Sequence, residues 1–165
     1  MTGPGVRLGV DVGTVRIGVA VSDPDGLLAV PLETVPRGSG DLDRLAVLAG
    51  ERDAVGFVVG LPRTLSGAEG PAAQESRRFA LALARRVAPT PVTLLDERLT
   101  TAAAAQALRG AGLSTRRSRP VVDQVAAAAL LQGALDTLRT SGGLPGEQVT
   151  LTEPTQRAAD ETRGS

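Results

Sequence analysis

The chain has 165 residues and a mass of 16.8 kDa, enough for one domain with its own core and too little for separate cofactor and substrate lobes. It contains no cysteine and no histidine, and its 18 basic residues are all arginine, which excludes disulfides, thiolate or imidazole catalysis, Cys/His metal sites and lysine Schiff bases. With zero net charge and a pI of about 6.3 it is not a protein that coats nucleic acid or an anionic membrane through bulk charge, although a local basic patch remains open to it.

In chain order, Val6 to Val12, Arg16 to Val21 and Leu27 to Val35 read as three strands. The breakers Gly13-Thr14 and Pro24-Asp25-Gly26 join them as an antiparallel meander. Asp41 is placed to cap a helix carrying Leu42, Leu45 and Ala49 and ending near Arg52, and Ala54 to Gly60 is a short apolar run suited to a buried strand. Gly60 to Gly70 is a loop longer than a connector needs. Pro71 opens a helix whose Phe79, Leu83 and Val87 recur every four residues, and Pro89 and Pro91 end it ahead of a strand from Val92 to Leu95. Thr100 or Thr101 caps an Ala-rich helix that stops at Gly110 and Gly112; Pro120 introduces a last helix with Leu131, Leu135 and Leu138 on one face. This order predicts one α/β domain, residues 1–141, followed by a tail, 142–165, without periodicity and expected to be disordered. No secretory signal and no run of membrane-spanning length is read, so a cytoplasmic protein with no membrane partner is expected.

Three carboxylates stand where apolar or turn residues are expected: Asp11 inside the first strand's apolar run, Glu97 at the end of the strand from Val92, and Asp123 in the first turn of the last helix. Each has an ordinary structural explanation as a turn former, a loop acid or a complement to a helix N-terminus. Acids at the ends of elements in one small sheet can also converge, and oxygen ligands without His or Cys favour Mg²⁺ or Mn²⁺. Two such ions about 3.5–4 Å apart support phosphodiester hydrolysis. Between Arg98 and Val122 lie Arg98, Arg109, Arg116, Arg117 and Arg119 and no acid, a stretch that either solubilises a loop or holds a phosphate backbone. Aromatics are 1% of the chain, so base stacking is not the binding mode.

GVDVGTVRIGVAVSD at 9–23, VVGLPRTLSGAEGP at 58–71, LLDERLTT at 94–101 and the run Val122-Asp123-Gln124-Val125-Ala126-Ala127 resemble the YqgF/RuvX family over roughly residues 6 to 140. The resemblance implies an RNase H-like fold, a mixed five-stranded sheet of three antiparallel and two parallel strands flanked by helices. It implies a metal-dependent nuclease, with Asp11, Glu97 and Asp123 at the family's acidic positions and Arg16 as the basic residue of its first motif. The function it implies is processing of the 5′ end of pre-16S rRNA in ribosome biogenesis or, as the alternative, resolution of four-way DNA junctions. Arg16, Arg98, Arg116, Arg117 and Arg119 are the expected substrate-binding residues, and precursor rRNA is favoured over branched DNA because a neutral chain with one Arg cluster spans junction arms only as a dimer. Monomer and homodimer both stay open. Two rivals remain: a binding module that turns nothing over, and an ATPase of the sugar-kinase and actin type, whose first phosphate loop Val10-Asp11-Val12-Gly13-Thr14 also resembles but which needs two lobes.

Overall fold

A computed structural model describes residues 4–64, 66–99 and 119–151. The first three strands, β1 (Arg7–Val12), β2 (Arg16–Ser22) and β3 (Ala29–Pro36), form the expected meander, and they are followed by α1 (Asp41–Glu51), β4 (Gly56–Leu61), α2 (Pro71–Val87) and β5 (Val92–Asp96). A short 3₁₀ turn at Glu97–Leu99 follows β5, and α3 (Arg119–Ser141) and β6 (Glu147–Gln148) complete the described elements. The sheet order is β3-β2-β1-β4-β5-β6. β1 runs antiparallel to β2 and parallel to β4, and β4 runs parallel to β5, so the three-plus-two arrangement is present.

Strand alternation sorts the side chains into two cores. Leu8, Val10, Ile17, Val19, Phe57, Val59, Val92 and Leu94 point to one face and are covered by Leu45 and Leu48 of α1 and by Phe79, Ala80 and Leu83 of α2. The intervening residues Ala20, Val58 and Leu95 meet Ala127, Leu130, Leu131, Ala134 and Leu135 of α3 on the other face. α3 can lie flat on the sheet because the strands beneath it are stripped to glycine. A Cβ at Gly9 would sit 2.8 Å from the Ala127 carbonyl oxygen, and one at Gly18 would overlap the Asp123 carbonyl.

Two expectations need adjustment. Asp41 is the first helical residue of α1 and not its cap: Gly40 (φ 92°) precedes it, and the Asp41 carboxylate accepts the Gly38 N–H at 3.1 Å and the Leu42 N–H at 2.7 Å. Within the stretch after residue 141, Gln148 and Glu147 pair with Thr93 and Leu94, so the sheet has a sixth strand where five were expected, one too short to show a period in the sequence. The Ala-rich helix expected at 100–112 and the residues after 151 lie outside the described residues. No helix among the described residues is long and apolar enough to cross a membrane.

Candidate active site

Asp11 shares the α3 face of β1 with Gly9, because Leu8 and Val10 are committed to the opposite core. It lies opposite Gly18 in the register, and the close approach of the Asp123 carbonyl to Gly18 seats the first described turn of α3 beside it. On the other side the β1/β4 register runs through Val10↔Val59, so the next step sets Asp11 alongside Gly60. Gly60 is where Glu97 goes: a Cβ there would overlap Oε1 of Glu97. The fold therefore brings all three acids to one face, at the end of the sheet where β1, β4 and β5 terminate. They are buried, at 5%, 4% and 7% exposure for Asp11, Glu97 and Asp123.

Arg16, expected as a substrate ligand, directs Nε to Oδ2 of Asp123 at 3.2 Å, bridging the β1–β2 hairpin to α3. Arg98 is drawn the other way. Its Nε and Nη2 donate to the Asp96 carboxylate at 2.6–3.1 Å, and its Nη1 donates to the Thr64 carbonyl at 3.3 Å, so it braces the 62–70 loop against the end of β5. Arg63, 3.9 Å from Asp96, and Glu69 and Arg77 extend the brace to Glu147 of β6. Arg37 holds the turn after Asp11: its Nη1 donates to the Gly13 carbonyl at 2.8 Å while its Nη2 pairs with Glu75 and its guanidinium lies over the Phe79 ring at 5.4 Å. Arg37, Asp96 and the glycines at 18 and 60 were not singled out from the sequence. The glycines alone left a signal there, as interruptions of apolar strands. Arg109, Arg116 and Arg117 lie outside the described residues, and nothing is described of the Arg119 side chain.

The Arg98 guanidinium holds the Asp96 carboxyl below the usual carboxylate range. A depressed folded-state pKa contributes stability above the unfolded value of about 3.9, and the contribution is lost as pH falls through the lower folded value. The wild-type urea midpoint should therefore drop below about pH 4 more steeply than that of Asp96→Asn. Parallel acid limbs in the two proteins would show that the pair contributes nothing.

An all-oxygen donor set of three buried acids suits a hard divalent cation. As the side chains stand, among the described residues no three acidic groups are close enough together to hold one ion. The donor chemistry fits such an ion, but the acids are not a ready-made cage.

A mixed sheet of this order, with helices on both faces and carboxylates at the ends of β1 and β5, is the RNase H-like architecture; it is the family and the relatives of the chain that make it a nuclease. The T. thermophilus RuvC structure superposes with a TM-score of 0.53 at 16% identity over 85% of this chain and 99% of that one. RuvC in complex with a Holliday junction substrate gives 0.52 at 19% identity over 86% and 99%. The chain belongs to the RuvX family, whose model is described as a Holliday junction resolvase and matches residues 5–137. Its relatives include proteins named "Putative pre-16S rRNA nuclease" from Nocardioides sp., 57% identical over 88% of this chain and 96% of that protein, and from Mycobacterium ulcerans, 58% identical over 86% and 85%.

Proposed function

We propose that this nuclease hydrolyses precursor 16S rRNA near the 5′ end of the mature sequence, with Asp11, Glu97 and Asp123 as its acidic groups and Mg²⁺ or Mn²⁺ as its cofactor. The observation that carries the hydrolytic reading is the convergence of Asp11, Glu97 and Asp123 on one buried face through the Gly18 and Gly60 contacts. Such an ion, when bound, supplies positive charge to the scissile phosphate and to the departing oxygen. The chain's own contribution is to hold the carboxylates. Asp11 is fixed by β1, Glu97 by the end of β5, and Asp123 by the docking of α3 and the Arg16 Nε contact. Arg16 supplies a cation next to the same carboxylate, and on the approach of a phosphate the same guanidinium can serve it.

The RNA reading is supported by the relatives at 57–58% identity, which carry the rRNA nuclease name, whereas the junction-binding structure is only 19% identical. The Arg stretch from 109 to 119 is the proposed backbone contact. The test is cleavage of precursor 16S rRNA and of a four-way DNA junction side by side with Mg²⁺, with mass measured at the same protein concentration. Site-specific cutting of the RNA is expected. A stable dimer making paired symmetric cuts in the junction and leaving the RNA intact would overturn the assignment in favour of resolvase.

Replacing Arg116, Arg117 and Arg119 together should lower RNA affinity and reduce the slope of log K against log salt by about 0.7 per lost phosphate contact, with little change in turnover at saturating RNA. An unchanged slope would make this stretch a solvated loop.

A further inference from the structure

The three acids lie where β1, β4 and β5 terminate, and β4 is the middle one of these strands. The chain leaving β4 therefore emerges between Asp11 on one side and Asp96-Glu97 on the other, at the carboxyl ends of parallel strands, where open α/β sheets take up their ligands. Three residues beyond Gly60, the glycine over which Glu97 lies, this loop carries Arg63. Chain geometry keeps its Cα within about 11 Å of Gly60. Its side chain is 29% exposed, so a ligand can reach it.

Arg63 is the most loosely held of the three arginines in the brace. Arg77 donates to both oxygens of Glu69 at 2.5 and 2.8 Å, and Arg98 donates to both oxygens of Asp96 at 2.6–3.1 Å. Arg63 reaches the same two carboxylates at only 3.3 and 3.9 Å. A guanidinium fully committed to a carboxylate stands at about 2.7–2.9 Å. The Arg77 hydrogen bonds hold the Glu69 carboxyl below the usual carboxylate range, and those of Arg98 do the same for Asp96, with Arg63 the smaller influence on each. The Arg63 Nε is enclosed by protein and has no hydrogen-bond partner among the described residues.

We propose that Arg63 is a substrate-binding residue of this nuclease, giving its guanidinium to an RNA phosphate that flanks the one being cut. The proposal rests on the reading of Asp11, Glu97 and Asp123 as the hydrolytic site, which sets the path of the RNA across the end of β4. Phosphate oxygens suit the planar fork of a guanidinium. When Arg63 turns to a phosphate, Glu69 keeps Arg77 and Asp96 keeps Arg98, so neither carboxylate is stranded. Drawing Arg98 away instead would leave Asp96 with the 3.9 Å Arg63 contact in its place.

The experiment follows binding of a labelled single-stranded RNA to the full chain over a range of salt, without metal so that the RNA stays whole. Arg63→Gln should weaken binding about tenfold at low salt and lower the slope of log K against log salt by about 0.7, one phosphate contact on a single strand. Arg63→Lys, which keeps the charge and loses the fork, should keep the slope. Glu69→Gln removes the nearer of the two acids that compete for Arg63, so it should tighten binding, and the gain should shrink when Arg63→Gln is added. If Arg63 is only a strut, Arg63→Gln and Glu69→Gln break the same contact and weaken binding alike. That outcome, or an unchanged affinity and slope in Arg63→Gln, would overturn the proposal. Cleavage of the same RNA by wild type with Mg²⁺ reports on the hydrolytic reading separately. RNA cut by wild type with the slope unchanged in Arg63→Gln sinks the role of Arg63 alone, whereas RNA that wild type leaves intact sinks both.

Discussion

Asp11→Asn should reduce RNA cleavage at saturating divalent cation by at least about a hundredfold while the protein stays folded. The side chain is 5% exposed and sits between two other acids on the sheet face, near Gly18 with Asp123 behind it and Gly60 with Glu97 behind it. Asparagine preserves its volume and one oxygen, so packing beneath α3 is retained, whereas the negative charge that would attract a divalent ion is removed. Removing one of three like charges also relieves their mutual repulsion, so the metal-free variant should melt within a few degrees of wild type or above it. The addition of Mg²⁺ should then stabilise wild type more than the variant. Equal turnover by the two proteins at saturating Mg²⁺ would remove Asp11 from the hydrolytic machinery.

The three acids were legible as chemistry because each breaks a local rule: Asp11 interrupts the apolar run of β1, Glu97 follows a buried strand, and Asp123 sits between the valines that lead into the apolar run of the last helix. Strand and helix order was legible for the same reason, since periodicity is a property of neighbouring residues. What was not legible depends on pairs far apart in the chain. The Arg16–Asp123 contact spans 107 positions, and nothing near Arg16 marks it as the partner of a carboxylate instead of a phosphate. Arg98 meets an acid only two residues away, Asp96, but a run of arginines in a sequence shows their shared positive charge and not which acid each one meets. β6 holds two residues, which is less than one full alternation, and its place comes from pairing with β5 and not from its own pattern. Gly18 and Gly60 were visible as glycines inside strands, but the reason for each lies in what packs over it.

Gly60→Ala should cost far more activity than stability, whereas Gly18→Ala should cost both. At Gly60 an added methyl would meet Oε1, Cδ and Cγ of Glu97, atoms at the free end of a side chain that can swing away. The fold can therefore yield, at about 1–3 kcal/mol, while the carboxylate leaves the face it shares with Asp11. Turnover should fall by about ten- to a hundredfold. At Gly18 the methyl would meet the backbone carbonyl of Asp123 and the Gln124 nitrogen, which cannot move unless the whole first turn of α3 lifts from β2. That variant should lose about 3 kcal/mol, at the upper end of what overpacking costs. Glu97→Ala provides the internal check on Gly60. With the longer side chain gone the clash disappears, so the Gly60→Ala/Glu97→Ala double variant should be more stable than the sum of the single changes requires. Strict additivity in urea unfolding, or full activity in Gly60→Ala, would mean that Glu97 does not occupy the space over Gly60 in solution, and the convergence of the three acids would lose its firmest support.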